Sequence, residues 1–321
     1  MPNPFFSISI PVFKTEAFLE QCLVSIQNQE FKDFECLVVN DGSLGVNQLD
    51  FKAKQDLDFV PKVDFSKIDG PSQISYIFDR LVGKDSRFRL IDKTNGGVST
   101  ARNAGLNQAR GDWLIQIDPD DWILPNHLTN FHQAIQSYKG HKLAIPKFVL
   151  TEFYNTKNII NYYIPKKITI ANNIHSCSFI NHCYAINMSL VRKYNLQFDE
   201  KLGRGAPLEI RISNGGEDFL FSHFYLQAAE SKYGKNGFEI IDMPANTYKY
   251  REIEVNKKQI EDDYGPFQYA KYFQHIGYQN PNLNVKIITF LMPFWTKLRF
   301  YKNPLATTLR KIISLLFRVI S

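Results

Sequence analysis

Short apolar runs alternate with stretches of helical periodicity along the first third of the chain. Phe6–Val12 is apolar and β-branched and is ended by Pro11 and a turn, which predicts a buried strand. Phe18, Cys22 and Ile26 recur at helical spacing beside Leu19 and Leu23, with Thr15 placed to cap that helix. Phe34–Val39 predicts a second strand that runs into the turn Asn40-Asp41-Gly42-Ser43. Arg87–Ile91 predicts a third strand, Ser99–Ala109 a helix, and Trp113–Ile117 a fourth strand. Strands and helices in this order describe an α/β fold with a mostly parallel sheet. Its ligand crevice lies beyond the carboxyl ends of the strands. Asp41, Asp92 and Asp118 fall at those ends. Between Ser43 and Ser86 lies an insertion in which Leu49–Phe59 and Gln73–Leu81 are both candidate helices, expected on the flank of the sheet.

Composition adds exclusions. Hydrophobic residues make up 44% of the 321 positions and charged residues only 22%, which excludes intrinsic disorder for most of the chain. The net charge of +6 is local: residues 264–321 hold eight Lys/Arg and no acidic residue, leaving 30 basic against 32 acidic in residues 1–263. Met1–Pro11 shows no basic region followed by an apolar run, so the expectation is a cytoplasmic chain without a signal peptide. The apolar stretch Ile287–Trp295 contains Pro293 and falls well short of the ~20 residues a bilayer requires. Four cysteines, Cys22, Cys36, Cys177 and Cys183, are too few for a disulfide scaffold and read as reduced thiols. His175, Cys177, His182 and Cys183 match no common zinc spacing, and ordinary burial accounts for them.

The sharpest chemistry is Ile117-Asp118-Pro119-Asp120-Asp121-Trp122. Three carboxylates crowded after an apolar strand repel one another, and oxygen-only ligation suits Mg²⁺ or Mn²⁺ bridging to nucleotide phosphates. The same residues, taken alone, read as a solvated acidic turn with Asp121 capping the next helix. Asp41 reads either as a turn-former or as an acceptor for a base N–H or ribose hydroxyl. Asn95-Gly96-Gly97-Val98-Ser99 precedes the helix that carries Arg102 and Asn103. It is either a phosphate site at a helix N-terminus or a loop with a serine cap. Arg102 either neutralises phosphate or forms a surface pair. Farther on, Gly215-Gly216-Glu217-Asp218-Phe219-Leu220 places two acids at the start of an amphipathic helix, where dipole pairing explains them as well as catalysis does.

In this order, Ile8–Phe13, Ser25–Gln29, Val39–Ser43, Asn95–Gly105, Gly111–Trp113 and Asp118–Trp122 resemble the inverting family 2 glycosyltransferases of bacterial surface-polysaccharide type. Ala185–Leu202 and the Glu217-Asp218 motif continue the resemblance. It implies a GT-A fold, a Rossmann-like central sheet flanked by helices. Residues 1–125 would form the nucleotide-sugar half and 126–263 the acceptor half. Pro11 and Phe13 would line the base pocket, Asp41 would contact the base, and Arg102 would lie near the nucleotide. Asp118 would face the ribose and Asp120 the metal, with Asp121 as the alternative ligand, since Asp118-x-Asp120 and Asp120-Asp121 both fit versions of the D-x-D motif. Asp218 would be the catalytic base that takes the proton of the acceptor hydroxyl, with Glu217 beside it. Tyr248-Lys249-Tyr250-Arg251 resembles the family segment near the diphosphate, or simply alternates on a strand.

The implied activity moves a sugar with inversion from a nucleotide donor, UDP first, to an oligosaccharide or lipid-linked glycan acceptor. Its setting would be lipopolysaccharide or capsule biosynthesis, with Mn²⁺ or Mg²⁺ as cofactor. A metal-dependent nucleotidyltransferase and a non-catalytic glycan-binding scaffold are the alternatives. In the tail, Leu305, Leu309, Ile312, Ile313, Leu316 and Ile320 fall on one helical face, with Lys311 and Arg318 opposite. A basic amphipathic helix of this kind predicts peripheral attachment to the anionic inner face of the cytoplasmic membrane, or else packing on the protein body or in a homo-oligomer. No nucleic-acid recognition module accompanies it.

Overall fold

Strand β1 (Phe6–Val12) is buried along its whole length, Ser7 and Ser9 included, because it has a strand on each side and helices over its faces. The computed structural model describes residues 3–43, 73–137, 143–147, 153–154, 184–206, 216–234, 238–243 and 247–251. Strands β2 (Phe34–Asp41), β3 (Phe88–Lys93) and β4 (Trp113–Gln116) join β1 in one parallel sheet, and β8 (Ile186–Asn187) closes an edge antiparallel to β4. The order is β3-β2-β1-β4-β8, so the chain reverses its direction of sheet growth between β1 and β4. That reversal opens the crevice beyond the carboxyl ends. Pairing of Val12 with Asn40 and of Asp41 with Lys93 brings the polar strand ends level there.

Six described helices accompany the strands: α1 (Glu16–Gln27), α2 (Gln73–Leu81), α3 (Val98–Gln108), α4 (His127–Ser137), α5 (Met188–Tyr194) and α6 (Glu217–Tyr233). Helix α2 buries Ile74, Ile77 and Phe78 and packs against α1, as expected of the flanking segment. Helix α3 crosses β1 and β2 closely because Gly105 lies directly over Ser9. Short strands β5 (Trp122–Ile123), β7 (Phe153–Tyr154) and β10 (Tyr248–Arg251) form a second sheet in the order β5-β10-β7. Strands β6 (Leu143–Lys147) and β9 (Phe238–Asp242) pair in parallel.

Local expectations are corrected at three points. Strand β3 continues through Asp92 to Lys93, so Asp92 does not end it; its carboxylate accepts from Asn40 Nδ2 at 2.8 Å. Thr15 occupies the cap position of α1, but its side chain makes no capping bond. Helix α3 is capped at Gly97, not by Ser99, whose hydroxyl donates to the Leu202 carbonyl at 2.6 Å. The candidate helix at Leu49–Phe59, the four-residue His/Cys set at 175–183 and the tail at 264–321 lie outside the described residues.

Candidate active site

The acidic turn after β4 places its three carboxylates differently. Ile117 N–H donates to Ser9 O at 3.0 Å, extending the pairing past β4, and Asp121 N–H closes a turn onto Asp118 O at 3.1 Å. Asp121 points away from the crevice toward β10. Its Oδ2 accepts from the Tyr248 hydroxyl at 2.6 Å and its Oδ1 from Arg251 N–H at 2.7 Å. The Tyr248 hydroxyl also accepts from Asp118 N–H at 3.1 Å, so one buried tyrosine ties the turn at two points. Burial, then the charges of Asp120 and Asp118, push the Asp121 carboxyl well above the usual carboxylate range. Asp118 and Asp120 remain partly exposed. Burial, with the charge of Asp118 next, raises the Asp120 carboxyl to about 7, while Arg251 and Arg204 pull it down.

Arg251 belongs to the same anchor. Its Nε donates to Asp120 O at 2.9 Å, it also bonds Gln21, and its guanidinium carbon lies 4.9 Å from both the Phe18 and Trp122 ring centroids. The β10 segment therefore braces the acidic turn, a role that alternation along a strand did not reveal.

Arg102, on α3, joins the two acidic motifs. Its Nη1 donates to Glu217 Oε1 at 2.8 Å and to Asp218 Oδ1 at 2.5 Å, and its Nη2 reaches Asp118 Oδ1 at 3.4 Å. The guanidinium is almost fully buried and lies 5.7 Å from the ring centroid of Phe198, which stacks on Phe221 at 4.1 Å. Burial disfavours its charge, but Asp218, Asp118 and Glu217 outweigh that and raise its pKa above the ordinary arginine value. Arg102 thus meets Asp218, 116 positions away, which no local spacing predicts.

Asp41 sits at the end of β2, nearly buried, with its carboxylate holding the next loop. It accepts from Gly96 N–H at 3.1 Å, Gly97 N–H at 2.9 Å and Lys93 Nζ at 2.5 Å. Val98 N–H donates to Arg204 O at 2.9 Å. Of the two readings of this segment, the geometry favours a loop: the Gly96, Gly97 and Val98 N–H groups are taken by protein acceptors. The close approach that Gly97 permits (φ +92°) is that of another backbone, since a Cβ there would stand 2.5 Å from Ala206 N. Pro11 is buried in β1, while Phe13 beyond it is 38% exposed, with Lys14 Nζ 5.2 Å from its ring centroid.

Among the described residues, no group of three or more His, Cys, Asp or Glu side chains is arranged to hold a metal ion. Asp118 and Asp120 offer two hard oxygen donors whose mutual repulsion a divalent cation relieves. Mg²⁺ and Mn²⁺ characteristically take one or two carboxylates and complete their shell with substrate phosphate and water. The residues present fit that mode.

Residues 7–60 and 64–194 match the family model described as glycosyl transferase family 2. The chain belongs to that family. Over 316 residues it is 26% identical to the uncharacterized glycosyltransferase EpsJ of Bacillus subtilis (strain 168), covering 90% of this chain and 76% of EpsJ. It is 27% identical over 216 residues to the minor teichoic acid biosynthesis protein GgaB of the same organism, covering 64% of this chain but only 21% of GgaB. Among solved structures it resembles residues 1–349 of S. aureus TarS in complex with UDP-GlcNAc. That likeness has a TM-score of 0.59 at 16% identity and covers 94% of this chain and 74% of that TarS segment. At that identity it establishes the shared fold, and the GT-A expectation is borne out. In this family 2 glycosyltransferase the acidic turn after β4 and the two acids at the start of α6 converge on Arg102.

Proposed function

We propose that this glycosyltransferase transfers a sugar, with inversion, from a UDP-sugar to a glycan or lipid-linked acceptor in the assembly of a bacterial surface polysaccharide. The observation that carries the proposal is the Arg102 bridge: Asp118 of the donor-side turn and Asp218 of the acceptor-side helix share one guanidinium. A donor held at Asp118 and Asp120 thereby presents its anomeric carbon toward Asp218. Asp218 takes the proton of the acceptor hydroxyl as its oxygen attacks that carbon. The bond from the carbon to the β-phosphate oxygen breaks, and its electron pair leaves with UDP. Glu217 shares the Arg102 Nη1 donor with Asp218 and keeps the two carboxylates in fixed relation. Asp118 and Asp120 would hold Mn²⁺ or Mg²⁺, which when bound neutralises charge building on the departing diphosphate. Exposed Phe13 offers its ring to the base, with Pro11 and Asp41 shaping the pocket wall. UDP as the nucleotide is supported by TarS, crystallised with UDP-GlcNAc, and the polymer setting by GgaB.

No described helix is long and apolar enough to cross a membrane. Attachment through the basic tail belongs to the same proposal, and flotation of the full chain with anionic vesicles tests it. The central experiment is Asp218→Asn. It should abolish sugar transfer, read as UDP release in the presence of acceptor, while UDP binding stays within about twofold of wild type. Normal turnover by that variant would remove Asp218 as the base.

A further inference from the structure

We propose that Lys14 reads the base of the donor, its ammonium donating to an oxo oxygen of a uracil stacked on Phe13, a role that rests on the UDP-sugar reading above. Among the described residues, two other than glycine hold a positive φ, Asn195 (φ +49°) and Lys14 (φ +55°). Asn195 caps the C-terminus of α5, an ordinary place for that conformation and for asparagine. Lys14 follows Phe13 just beyond the carboxyl end of β1, where the crevice opens, and a lysine side chain does nothing locally to ease the left-handed region. Such a conformation persists only where the surroundings impose it, and such positions gather where ligands are held.

The surroundings here are a chain of hydrogen bonds across three strand ends. Lys14 N–H donates to Ser43 Oγ at 2.9 Å, Ser43 N–H to Asn40 Oδ1 at 2.9 Å, and Asn40 Nδ2 to Asp92 Oδ1 at 2.8 Å. The turn after β1 is thereby fixed to β2 and β3, and it sets an ammonium beside an exposed ring. Lys14 is itself exposed, and its Nζ lies 5.2 Å from the Phe13 ring centroid. Phe13 and Tyr76 are the large hydrophobic residues left exposed among those described, and Tyr76 lies away on α2. Other groups near the crevice are engaged in holding it together. Lys93 pairs with Asp41, Arg102 spans three carboxylates, and Arg251 packs between Phe18 and Trp122. The Asp41 carboxylate accepts from Gly96 and Gly97 N–H as well as from Lys93. An exposed ring takes any planar base by stacking and does not tell one base from another. A fixed donor at its edge supplies that distinction: uracil presents O2 and O4 as acceptors, where adenine presents ring nitrogens and an amino donor.

Titration calorimetry of the full chain in Mn²⁺ with UDP, 2-thio-UDP and 4-thio-UDP tests this. Sulfur in place of oxygen is the poorer acceptor and leaves the diphosphate unchanged, so wild type should bind one of the two analogues about threefold or more weakly than UDP. Lys14→Asn should weaken UDP binding about tenfold, as expected for the loss of one hydrogen bond from a charged donor, and bring that analogue within about twofold of UDP. Asparagine tolerates the left-handed conformation, so this variant keeps the turn and should melt no lower than wild type. Lys14→Arg should keep the charge and part of the discrimination. Equal losses for all three ligands in Lys14→Asn would mean that the ammonium serves the phosphates or only the fold, and would overturn the assignment. A wild type that binds both analogues as tightly as UDP, or a Lys14→Asn variant with unchanged UDP affinity, overturns it as well. A wild type that does not bind UDP overturns the donor reading and this assignment together.

Discussion

Asp120 and Asp121 are adjacent in sequence, and substituting each by alanine should have opposite consequences. Asp121→Ala removes the acceptor of two buried donors, the Tyr248 hydroxyl and Arg251 N–H. Each orphaned donor costs about 1–3 kcal/mol, and relief from burying a carboxylate offsets part of the sum, leaving a net loss of about 3 kcal/mol. At roughly 2–4 °C per kcal/mol, the thermal midpoint should fall by about 6 °C or more. Among the described residues, Asp120→Ala orphans no side-chain donor. Its carboxyl is raised to about 7 from an ordinary 3.8, so keeping it ionised at pH 8 costs the metal-free fold up to about 4 kcal/mol, reduced to about 1–2 by solvent at a half-buried site. A raised acid imposes no cost below about pH 4, an increasing cost between 4 and 7, and its full cost above 7. Asp120→Ala should therefore melt higher than wild type at pH 8 without metal and equal to it at pH 4. Differential scanning fluorimetry reads both, and UDP titration in Mn²⁺ or EDTA reads the site. Asp120→Ala should lose the Mn²⁺-dependent part of UDP affinity, and Asp121→Ala should keep it at temperatures where it is folded. The reverse pattern, with Asp121→Ala melting normally but blind to Mn²⁺, would refute the division of roles.

Two further outcomes probe the scaffold. Burial pushes His127 down to about 3 and His223 to about 4, from an ordinary 6.5, so both stay neutral in the fold while the unfolded chain takes up protons. Their share of stability is complete above pH 6.5 and is lost as pH falls toward 4, about 2–3 kcal/mol each at pH 4.5. Urea midpoints between pH 7.5 and 4.5 should thus fall less steeply for His127→Gln than for wild type, and parallel slopes would refute the point. At the α3 crossing, a Cβ on Gly105 would stand 2.0 Å from Ser9 Oγ and 3.0 Å from Ser9 Cβ. Gly105→Ala should cost about 2–3 kcal/mol, and adding Ser9→Ala should restore more than half. A single variant as stable as wild type would contradict this packing.

The sheet was legible because β1 and β2, buried over their whole lengths, are built mainly of apolar and β-branched residues, as strands covered on both faces are. Helix α2 was legible from Ile74, Ile77 and Phe78, which share one face. The members of the site were legible through motif order, but their partners were not. Whether Asp120 or Asp121 faces the crevice depends on Tyr248, which lies 127 positions beyond Asp121. The start of α3 looked like a phosphate cradle because glycines and a helix N-terminus are local features. What fills it, Asp41 and the Arg204 carbonyl, comes from β2 and from beyond α5. Residue type reports what a group can do; tertiary contacts decide which of those options is already taken.

On the proposed reading, the charge distribution favours a donor that arrives with a cation. One guanidinium faces Asp118, Glu217 and Asp218, and Asp120 lies beside Asp118, so four carboxylates are gathered at one end of the crevice. A bare nucleoside diphosphate entering this crevice meets carboxylates on both sides, and at these distances the repulsion is too short-ranged for salt to screen. A divalent ion held by Asp118 and Asp120 would offset that negative charge, while Arg102 pairs with Glu217 and Asp218. The pairing of Arg102 with both motifs then acquires a function beyond cohesion. Because Asp118, Glu217 and Asp218 share one guanidinium, a change in the environment of Asp118 would be felt at both acids at the start of α6. The near-neutral body of residues 1–263, net −2, fits an enzyme that holds an anionic donor by a bound ion and placed arginines, not by a broad basic surface.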